Sequence, residues 1–132
     1  MFLNRLKKKE KVAFLELAHH IARSDNDFSE SQKSIIGKYC MEMQINDIKY
    51  SDKSFDIDKT LANIKNSKSQ HIVLLEVMAL IYSDNILHDE EKKVLNLMMK
   101  KFKMKKSLSI VYGEWAKSIL ALYIQGEALI DL

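Results

Sequence analysis

The sequence contains no proline and only three glycines in 132 residues. Folds built on β-turns and hairpins use more of both residues, so their scarcity predicts an all-α protein. At this length, with 47% hydrophobic residues, we expect a single domain over residues 1–132 with a hydrophobic core.

Cysteine and long apolar runs are also scarce. The single cysteine, Cys40, excludes an internal disulfide and any site that needs several cysteines. It falls on an apolar helical stripe, so we expect it to pack in the core. No apolar run approaches the roughly 20 residues of a membrane span, and the lysines at 7–9 interrupt the place where a signal peptide would be apolar. We therefore expect a cytoplasmic protein, with peripheral membrane association as an open alternative.

Acidic residues are absent from one stretch of the chain. Residues 92–106 carry seven lysines and no Asp or Glu, although the formal net charge is only +3. Such a run is ordinarily a solvated helix face; the alternative is a surface that recruits an acidic partner or a membrane. With no arginine and only Phe102 as an aromatic residue, the run lacks groups that read or stack on bases, so nucleic acid is not expected. The candidate partner face consists of Lys100, Lys101, Lys103, Lys105 and Lys106.

The most informative pattern is a repeated turn. Ser24-Asp25-Asn26-Asp27-Phe28 recurs 59 positions later as Ser83-Asp84-Asn85-Ile86-Leu87, each time between an apolar helical stretch and an amphipathic one. The apolar positions after the first turn match those after the second at the same offset. This self-similarity predicts a duplicated helix–acidic turn–helix unit over about residues 12–44 and 71–103. The matching positions are Ile36, Tyr39, Cys40 and Met43, and then Leu95, Met98, Met99 and Phe102.

Apolar periodicity predicts one compact bundle of about six to seven helices. A capping box from Ser29 to Gln32 opens the second helix, and the fourth is apolar almost all round, which places it in the middle of the domain. Gly126 is expected to end the sixth helix as a C-cap, and the residues after it are expected to dock back as a final turn. The predicted helices cover about 4–23, 30–43, 56–66, 67–81, 89–102 and 107–125.

The acidic turns have two interpretations. Asp and Asn commonly form turns and helix caps, and carboxylates in a first helical turn complement the helix dipole. The alternative is a divalent-cation site, because clustered oxygen ligands suit Ca²⁺ or Mg²⁺, although neither turn has the glycine and glutamate spacing of an EF-hand. The second copy offers the fuller set, since His88 and Glu91 share a helix face. The candidate ligands are Asp25, Asp27, Glu30, Asp84, His88 and Glu91.

Motifs that would indicate an enzyme are missing. The sequence has no nucleophile elbow, phosphate-binding glycine loop, HExxH or CxxC. We therefore expect a non-enzymatic protein, with a helical enzyme that unites Glu76, Asp84 and His88 as the alternative. The other histidines, at positions 19, 20 and 71, are expected to be surface or half-buried; two of them are adjacent on a helix and point about 100° apart.

The duplicated turn resembles the TerB family of tellurite-resistance proteins and the related domain of DjlA-type co-chaperones. The family pattern is an apolar helix, Asp-Gly, one residue, an apolar residue, three residues and Glu. The second copy follows it closely from Leu74 to Glu91, and the first copy runs from Ile21 to Gln32. The resemblance covers about residues 12–104.

Two departures from the family pattern matter. Asn26 and Asn85 replace the glycine, and asparagine tolerates the positive φ that such a turn can require. Gln32 stands where the second copy has Glu91, so the first copy lacks the matching carboxylate. The resemblance implies a compact all-α domain with a role in tellurite or general stress response. It implies binding of ions or partner proteins, with the inner membrane surface as a possible place of action.

Overall fold

The computed structural model describes residues 1–24, 28–83 and 89–132. A 3-10 turn at Leu3–Arg5 precedes six α-helices, and no strand occurs in these ranges. The all-α prediction is therefore confirmed. The helices are α1 (Lys8–Ala22), α2 (Glu30–Met43), α3 (Ile57–Ala62), α4 (Ser67–Tyr82), α5 (Asp89–Lys101) and α6 (Lys106–Ile130). None of them combines the length and apolar character that crossing a membrane requires.

Helix α4 lies at the centre of the bundle, as its apolar sequence predicts. It packs against α1, α5, α6 and the 3-10 turn. Its side chains at Val73, Leu74 and Val77 are fully buried, because a helix that is apolar on most faces is stable only when it is covered on most faces. The apolar face of α1 and the predicted stripe of α5 are buried too. They consist of Phe14, Leu17, Ala18 and Ile21, and of Leu95, Met98, Met99 and Phe102.

Side-chain caps begin α2, α3 and α4, and the cap of α2 is the predicted capping box. The Gln32 amide donates to Ser29 Oγ at 3.2 Å while the Ser29 amide donates to Gln32 Oε1 at 2.9 Å, which completes the capping box of α2. Asp56 accepts from the Asp58 amide at the start of α3, and Asn66 caps α4. These caps satisfy amides that have no partner within their own helix.

Several local features recur 59 positions apart. The Ser24 hydroxyl donates to the Ile21 carbonyl at 2.8 Å, and the Ser83 hydroxyl donates to the Leu80 carbonyl at 2.6 Å. Helices α2 and α5 begin at residues 30 and 89. After each of them the chain turns through a left-handed residue, with φ of 56° at Gln44 and 54° at Lys103. The amide after each left-handed residue donates to the carbonyl five residues before it, which is the pattern of a Schellman cap. These bonds run from Ile45 to Cys40 and from Met104 to Met99.

Three predicted boundaries are wrong. Helix α3 ends at Ala62 and not at about residue 66, because Asn66 is extended and serves as the N-cap of α4.

The predicted first helix is interrupted, since Leu6 is extended and α1 starts only at Lys8. Tertiary packing explains this interruption, because the turn of the chain at these residues brings both Leu3 and Leu6 into the core. Both side chains are buried. Glu10 accepts from the Lys7 amide at 2.8 Å and opens α1.

The end of α6 also differs from the prediction. Gly126 does not terminate the helix, which continues to Ile130. The residues after Gly126 do not dock: Leu129 is 68% exposed and Ile130 84%. A glycine stops a helix when the chain then turns in the left-handed region, and no glycine here has positive φ. The side chains of Ile110, Val111, Leu122 and Tyr123 are likewise exposed.

Candidate functional site

One cavity lies between the described flanks of the two Ser-Asp-Asn segments. Its volume is about 290 Å³, and it lies where α1 and α4 end and where α2 and α5 begin. Ile21 and Leu80 supply an apolar part of its wall, and Ser29, Gln32, Ser83 and Glu91 supply polar groups. The fold therefore brings the flanks of both repeated turns to a single place, which the sequence alone did not indicate.

Of the six predicted ligands, the structure places two. Glu91 is buried, at 5% exposure, and lines this cavity. Glu30 is exposed instead and forms an ion pair with Lys33 at 3.1 Å, because the first turn of α2 points it to solvent. The other four, Asp25, Asp27, Asp84 and His88, lie outside the described residues.

The described ligands do not assemble a metal centre by themselves. Within residues 1–24, 28–83 and 89–132, no three His, Cys, Asp or Glu side chains are grouped so that they would hold a metal ion. What the described wall offers is one buried carboxylate with hydroxyl and amide groups around it. Such a set accepts and donates hydrogen bonds.

The predicted lysine face is a continuous exposed surface where α5 ends and α6 begins. All five of its lysines are exposed, and no ion pair joins them to the described residues. We call this set, Lys100, Lys101, Lys103, Lys105 and Lys106, the lysine corner.

Beside the lysine corner runs an open groove of about 460 Å³ between the starts of α4 and α6. Lys103 and Lys105 stand on its edge, and Phe102, Leu108 and Val111 line its apolar part. On the polar side of this groove, the side-chain amide of Gln70 already has a hydrogen-bond partner within the protein. It donates to the Ile64 carbonyl at 2.9 Å. We call this the corner groove.

A cluster that the sequence did not predict surrounds His19 and His20 on α1. His19 is almost fully buried, so its predicted surface or half-buried position is wrong. Its Nε2 lies 2.8 Å from Asp47 Oδ1, and Arg23 Nε donates to its Nδ1 at 3.4 Å. With Arg23 as the donor on one side and a carboxylate on the other, a neutral ring carrying its hydrogen on Nε2 satisfies both contacts.

His20 connects three parts of the chain. Its ring stacks on Phe55 at 4.5 Å, and its two nitrogens lie 3.1 Å from the Tyr50 hydroxyl and 3.1 Å from Glu90 Oε1. The Tyr50 hydroxyl donates to Asp52 at 2.7 Å, so both atoms that face His20 are acceptors. A neutral ring donates to one of them and a protonated ring to both. Burial and the Asp52 hydrogen bond raise the pKa of Tyr50, which keeps its phenol protonated.

A second unpredicted cluster holds the start of the chain. The Met1 ammonium donates to Glu76 at 2.9 Å and to Glu42 at 3.0 Å, while the amides of Phe2 and Leu3 donate to the same two carboxylates, each at 2.8 Å. Burial lowers the pKa of the Met1 amine, but the hydrogen bonds and charges of Glu76 and Glu42 outweigh it, so the net shift is upward. We call this arrangement the amine clamp.

The amine clamp contains Glu76, one of the three residues of the alternative enzyme site. The Glu76 carboxylate, proposed as part of an enzyme site with Asp84 and His88, is bound to the start of the chain. Burial, and then the charges of Glu76 and Glu42, raise the pKa of nearby Tyr39. Glu76 therefore serves a structural contact in this molecule.

Cys40 is half-buried against the core, not enclosed by it. Burial is the main cause that raises the pKa of its thiol, and Asp47 adds to it. A thiol with a raised pKa carries less of the reactive thiolate at neutral pH. The structure thus gives Cys40 a packing position at the edge of the core.

Sequence reasoning missed both clusters for one reason. His19 and Asp47 are 28 positions apart, and Met1 and Glu76 are 75 apart. Helical periodicity reports which residues share a face of one helix, and it does not report which faces meet. The only available signal was local: a histidine at position 19 and a glutamate at position 76 fall within apolar helical stretches.

The molecule belongs to the class of all-α bundles, and it carries exposed basic and apolar surfaces. Comparisons with protein-family models, with curated proteins and with solved structures found no match to this chain. The TerB resemblance therefore stays a prediction.

Proposed function

We propose that this protein is a non-enzymatic interaction module that binds an acidic segment of a partner protein at the lysine corner. The observation that carries the proposal is the exposure of five neighbouring lysines that have no ion pair with the described residues. Clustered charges of one sign repel each other, so an acidic ligand relieves the repulsion and is attracted over a distance.

The shape of the surface favours a protein segment over a lipid bilayer. The corner groove is concave, and its apolar part at Leu108 and Val111 lies next to Lys103 and Lys105. A helix or extended peptide with acidic and apolar side chains fits a basic-edged groove. A bilayer surface is flat on this scale and would contact only the rim.

Contacts of the buried polar side chains support a non-enzymatic role. His19 is held by Asp47 and Arg23, and Glu76 by Met1 and Phe2. Groups with catalytic chemistry are thus tied into the fold, where their role is to connect distant parts of the chain.

The features that recur at an offset of 59 support the inference of a duplicated unit. The hydroxyl caps at Ser24 and Ser83 and the left-handed residues Gln44 and Lys103 match in position and geometry. We infer that two helix–turn–helix units meet across the cavity. A role in tellurite or stress response rests on the TerB resemblance alone.

Fluorescence anisotropy tests the lysine corner. The probe is a labelled peptide rich in glutamate and leucine, with glutamine in place of glutamate in the control peptide. We expect the acidic peptide to bind and added salt to weaken it. The triple variant Lys101→Glu, Lys105→Glu and Lys106→Glu is expected to bind about tenfold or more weakly.

The matched control variant is Lys49→Glu, Lys53→Glu and Lys59→Glu, which has the same net charge on another exposed surface. It is expected to keep most of the affinity. Equal loss in both variants would show that only net charge matters and would contradict the proposal. So would binding to vesicles containing phosphatidylserine without binding to the peptide.

A divalent cation at the cavity between the two units is the second candidate function. It is favoured by the burial of Glu91 in the cavity wall beside Ser83. Calorimetric titration of metal-stripped protein with Ca²⁺, Mg²⁺, Mn²⁺ and Zn²⁺ tests it, with Glu91→Gln as the variant and Glu30→Gln as the control. A ligand that binds only the folded state raises the melting temperature. No heat and no such rise at millimolar metal would reject this candidate.

A further inference from the structure

Helix α6 carries most of the exposed apolar surface. Of the ten large apolar side chains that are exposed in the described part of the chain, eight lie between positions 110 and 132. Single exposed apolar residues are normal, but a contiguous set on one helix indicates an interaction surface. The eight are Ile110, Val111, Leu122, Tyr123, Ile124, Leu129, Ile130 and Leu132.

The second half of α6 extends beyond the bundle. Ala116 is the last fully buried residue of the chain. From Ala121 onward every residue except the half-buried Gly126 is exposed. The only charged side chains in this segment are Glu127 and Asp131, and no lysine or arginine follows Lys117. This segment, residues 121–132, is therefore an apolar and acidic helix end, and we call it the α6 end.

One face of α6 has a spacing that suits a second helix. Six positions along this face are separated by four, three, four, three and four residues. This is the spacing of residues along the seam where two helices pack against each other. The order of the intervals is the same from either end. Its large apolar members Val111, Leu122 and Leu129 are exposed. The seam positions are Val111, Trp115, Ser118, Leu122, Gln125 and Leu129.

We propose that the acidic partner segment is the α6 end of a second copy of this chain, and that two copies pair through antiparallel α6 helices. This inference rests on the proposed function, because it names the ligand of the lysine corner. In the palindromic register Val111 lies opposite Leu129 of the second copy, and Ser118 lies opposite Leu122. Each copy supplies one α6 end and one corner groove, so the contact closes with two-fold symmetry.

Charge complementarity favours this orientation. Lysines 105 and 106 lie at the start of α6, and Glu127 and Asp131 lie near its end. In the antiparallel register Asp131 lies level with residue 109 of the other copy, less than one helical turn along the axis from Lys106, so the acidic end of one helix runs beside the basic start of the other. A parallel pair would place the two lysine corners together and the two acidic ends together. A membrane surface is disfavoured as the occupant, because helices that lie in anionic bilayers carry Lys or Arg along their polar face, and the α6 end carries none.

The exposed area is sufficient for a specific pair. At about 25 cal/mol per Å², the transfer free energy of one large apolar side chain corresponds to roughly 100 Å² of apolar surface. Eight such side chains therefore expose roughly 800 Å² per copy. This exceeds the largest apolar patch of a typical monomer, about 300–600 Å². To remove roughly 1,000 Å² from water, the lower limit for a specific interface, the pairing has to cover about two thirds of this surface on both copies.

Sedimentation velocity between about 1 and 100 µM tests the pairing. We expect wild-type protein to form a concentration-dependent dimer. The double variant Leu122→Glu and Leu129→Glu is expected to raise the dissociation constant about 100-fold or more. Because both residues are exposed in the single chain, the variant is expected to keep its helical circular dichroism and its melting temperature at low concentration.

The matched control is Ala121→Glu with Ala128→Glu. These residues are also exposed and seven positions apart, but each lies about 100° around α6 from the seam residue that follows it, Leu122 or Leu129. The control is expected to dimerise as wild type does. A wild-type chain that stays monomeric at the highest concentration would overturn the inference, as would equal loss of dimer in both double variants.

Disulfide crosslinking tests the register. In a Cys40→Ser background, Val111→Cys chains mixed with Leu129→Cys chains are expected to crosslink on oxidation, since opposed Cα atoms must lie within about 7 Å. Leu129→Cys chains alone are expected to stay uncrosslinked. The reverse result would indicate parallel pairing and would overturn the antiparallel arrangement.

The two proposals fail in different ways. A monomeric wild-type chain that still binds the acidic peptide through the lysine corner would overturn self-association and leave the proposed function standing. A monomeric chain that binds no acidic peptide would overturn both. A dimer that persists unchanged in the variant Lys101→Glu, Lys105→Glu and Lys106→Glu would show that the lysine corner does not receive the α6 end.

Discussion

Glu76 is a buried carboxylate that binds the first residues of the chain. It accepts from the Met1 ammonium at 2.9 Å and from the Phe2 amide at 2.8 Å. Glu76→Gln keeps the shape but removes the charge, so we expect the free energy of unfolding to fall by about 1–3 kcal/mol. Chemical denaturation measures this. Glu42→Gln is the control; its side chain is 30% exposed, so a loss as large as that of Glu76→Gln would contradict the assigned role.

The amine clamp also predicts a pH dependence. The pKa of the Met1 amine is raised in the folded protein, so its stabilising charge is fully present below the unfolded pKa of about 8. It is lost as the pH rises through the higher folded pKa. We expect stability to decrease as the pH rises above about 8, and this slope to be smaller in Glu76→Gln. An identical slope in both proteins would show that the amine does not contribute.

His19 is the residue whose position the sequence least indicates. It is 2% exposed and bound at both nitrogens. We expect His19→Ala to lower the free energy of unfolding by about 2–4 kcal/mol, since the change leaves a cavity and removes two buried contacts. His71→Ala is the control, because His71 is half-buried and its hydrogen-bond partner among the described residues is the Ser67 carbonyl. It is expected to cost less than about 1 kcal/mol, and equal losses would contradict this assignment.

At the scale of the helix, two glycines offer opposite tests. A Cβ at Gly37 would meet nothing within 4 Å, whereas a Cβ at Gly113 would lie 3.2 Å from Tyr82 Cε2. Gly37→Ala is expected to raise the free energy of unfolding by about 0.5–1 kcal/mol, because alanine restricts the unfolded chain and favours the helix. Gly113→Ala gains the same propensity but pushes Tyr82 aside. Thermal denaturation of both variants is expected to give a higher melting temperature for Gly37→Ala only.

Local rules predicted the helices, and tertiary contacts set the exceptions. The capping box at Ser29 and the apolar stripe of α5 depend on neighbours three or four residues away, so the sequence predicts them correctly. The break at Leu6 and the continuation through Gly126 depend on what the chain packs against. Burial of Leu3 and Leu6 causes the first, and the absence of any docking contact for Leu129 allows the second.

The same division applies to the candidate site. Exposure of the lysine corner follows from a run of charges, which the sequence shows directly. The cavity lined by Glu91 requires α1, α2, α4 and α5 to meet at one place, and periodicity within a helix contains no such information. Glu91 could be predicted as a candidate because the repeat marks it, while its burial could not.

For the whole molecule, the structure separates the bundle from the α6 end. Deletion of residues 121–132 removes a segment that is almost entirely exposed. We therefore expect the free energy of unfolding at low protein concentration to change by less than about 1 kcal/mol. The same deletion is expected to abolish dimers in sedimentation velocity. A chain that unfolds on this deletion would show that the α6 end belongs to the core.

The amine clamp makes the position of an affinity tag an experiment in itself. Any residue placed ahead of Met1 turns its ammonium into a neutral amide, leaving Glu42 and the buried Glu76 without the cation they now share. A tag after Leu132 avoids this but adds bulk to the α6 end. Removal of a tag that precedes Met1 is therefore expected to change the melting temperature. Removal of a tag that follows Leu132 is expected to change self-association.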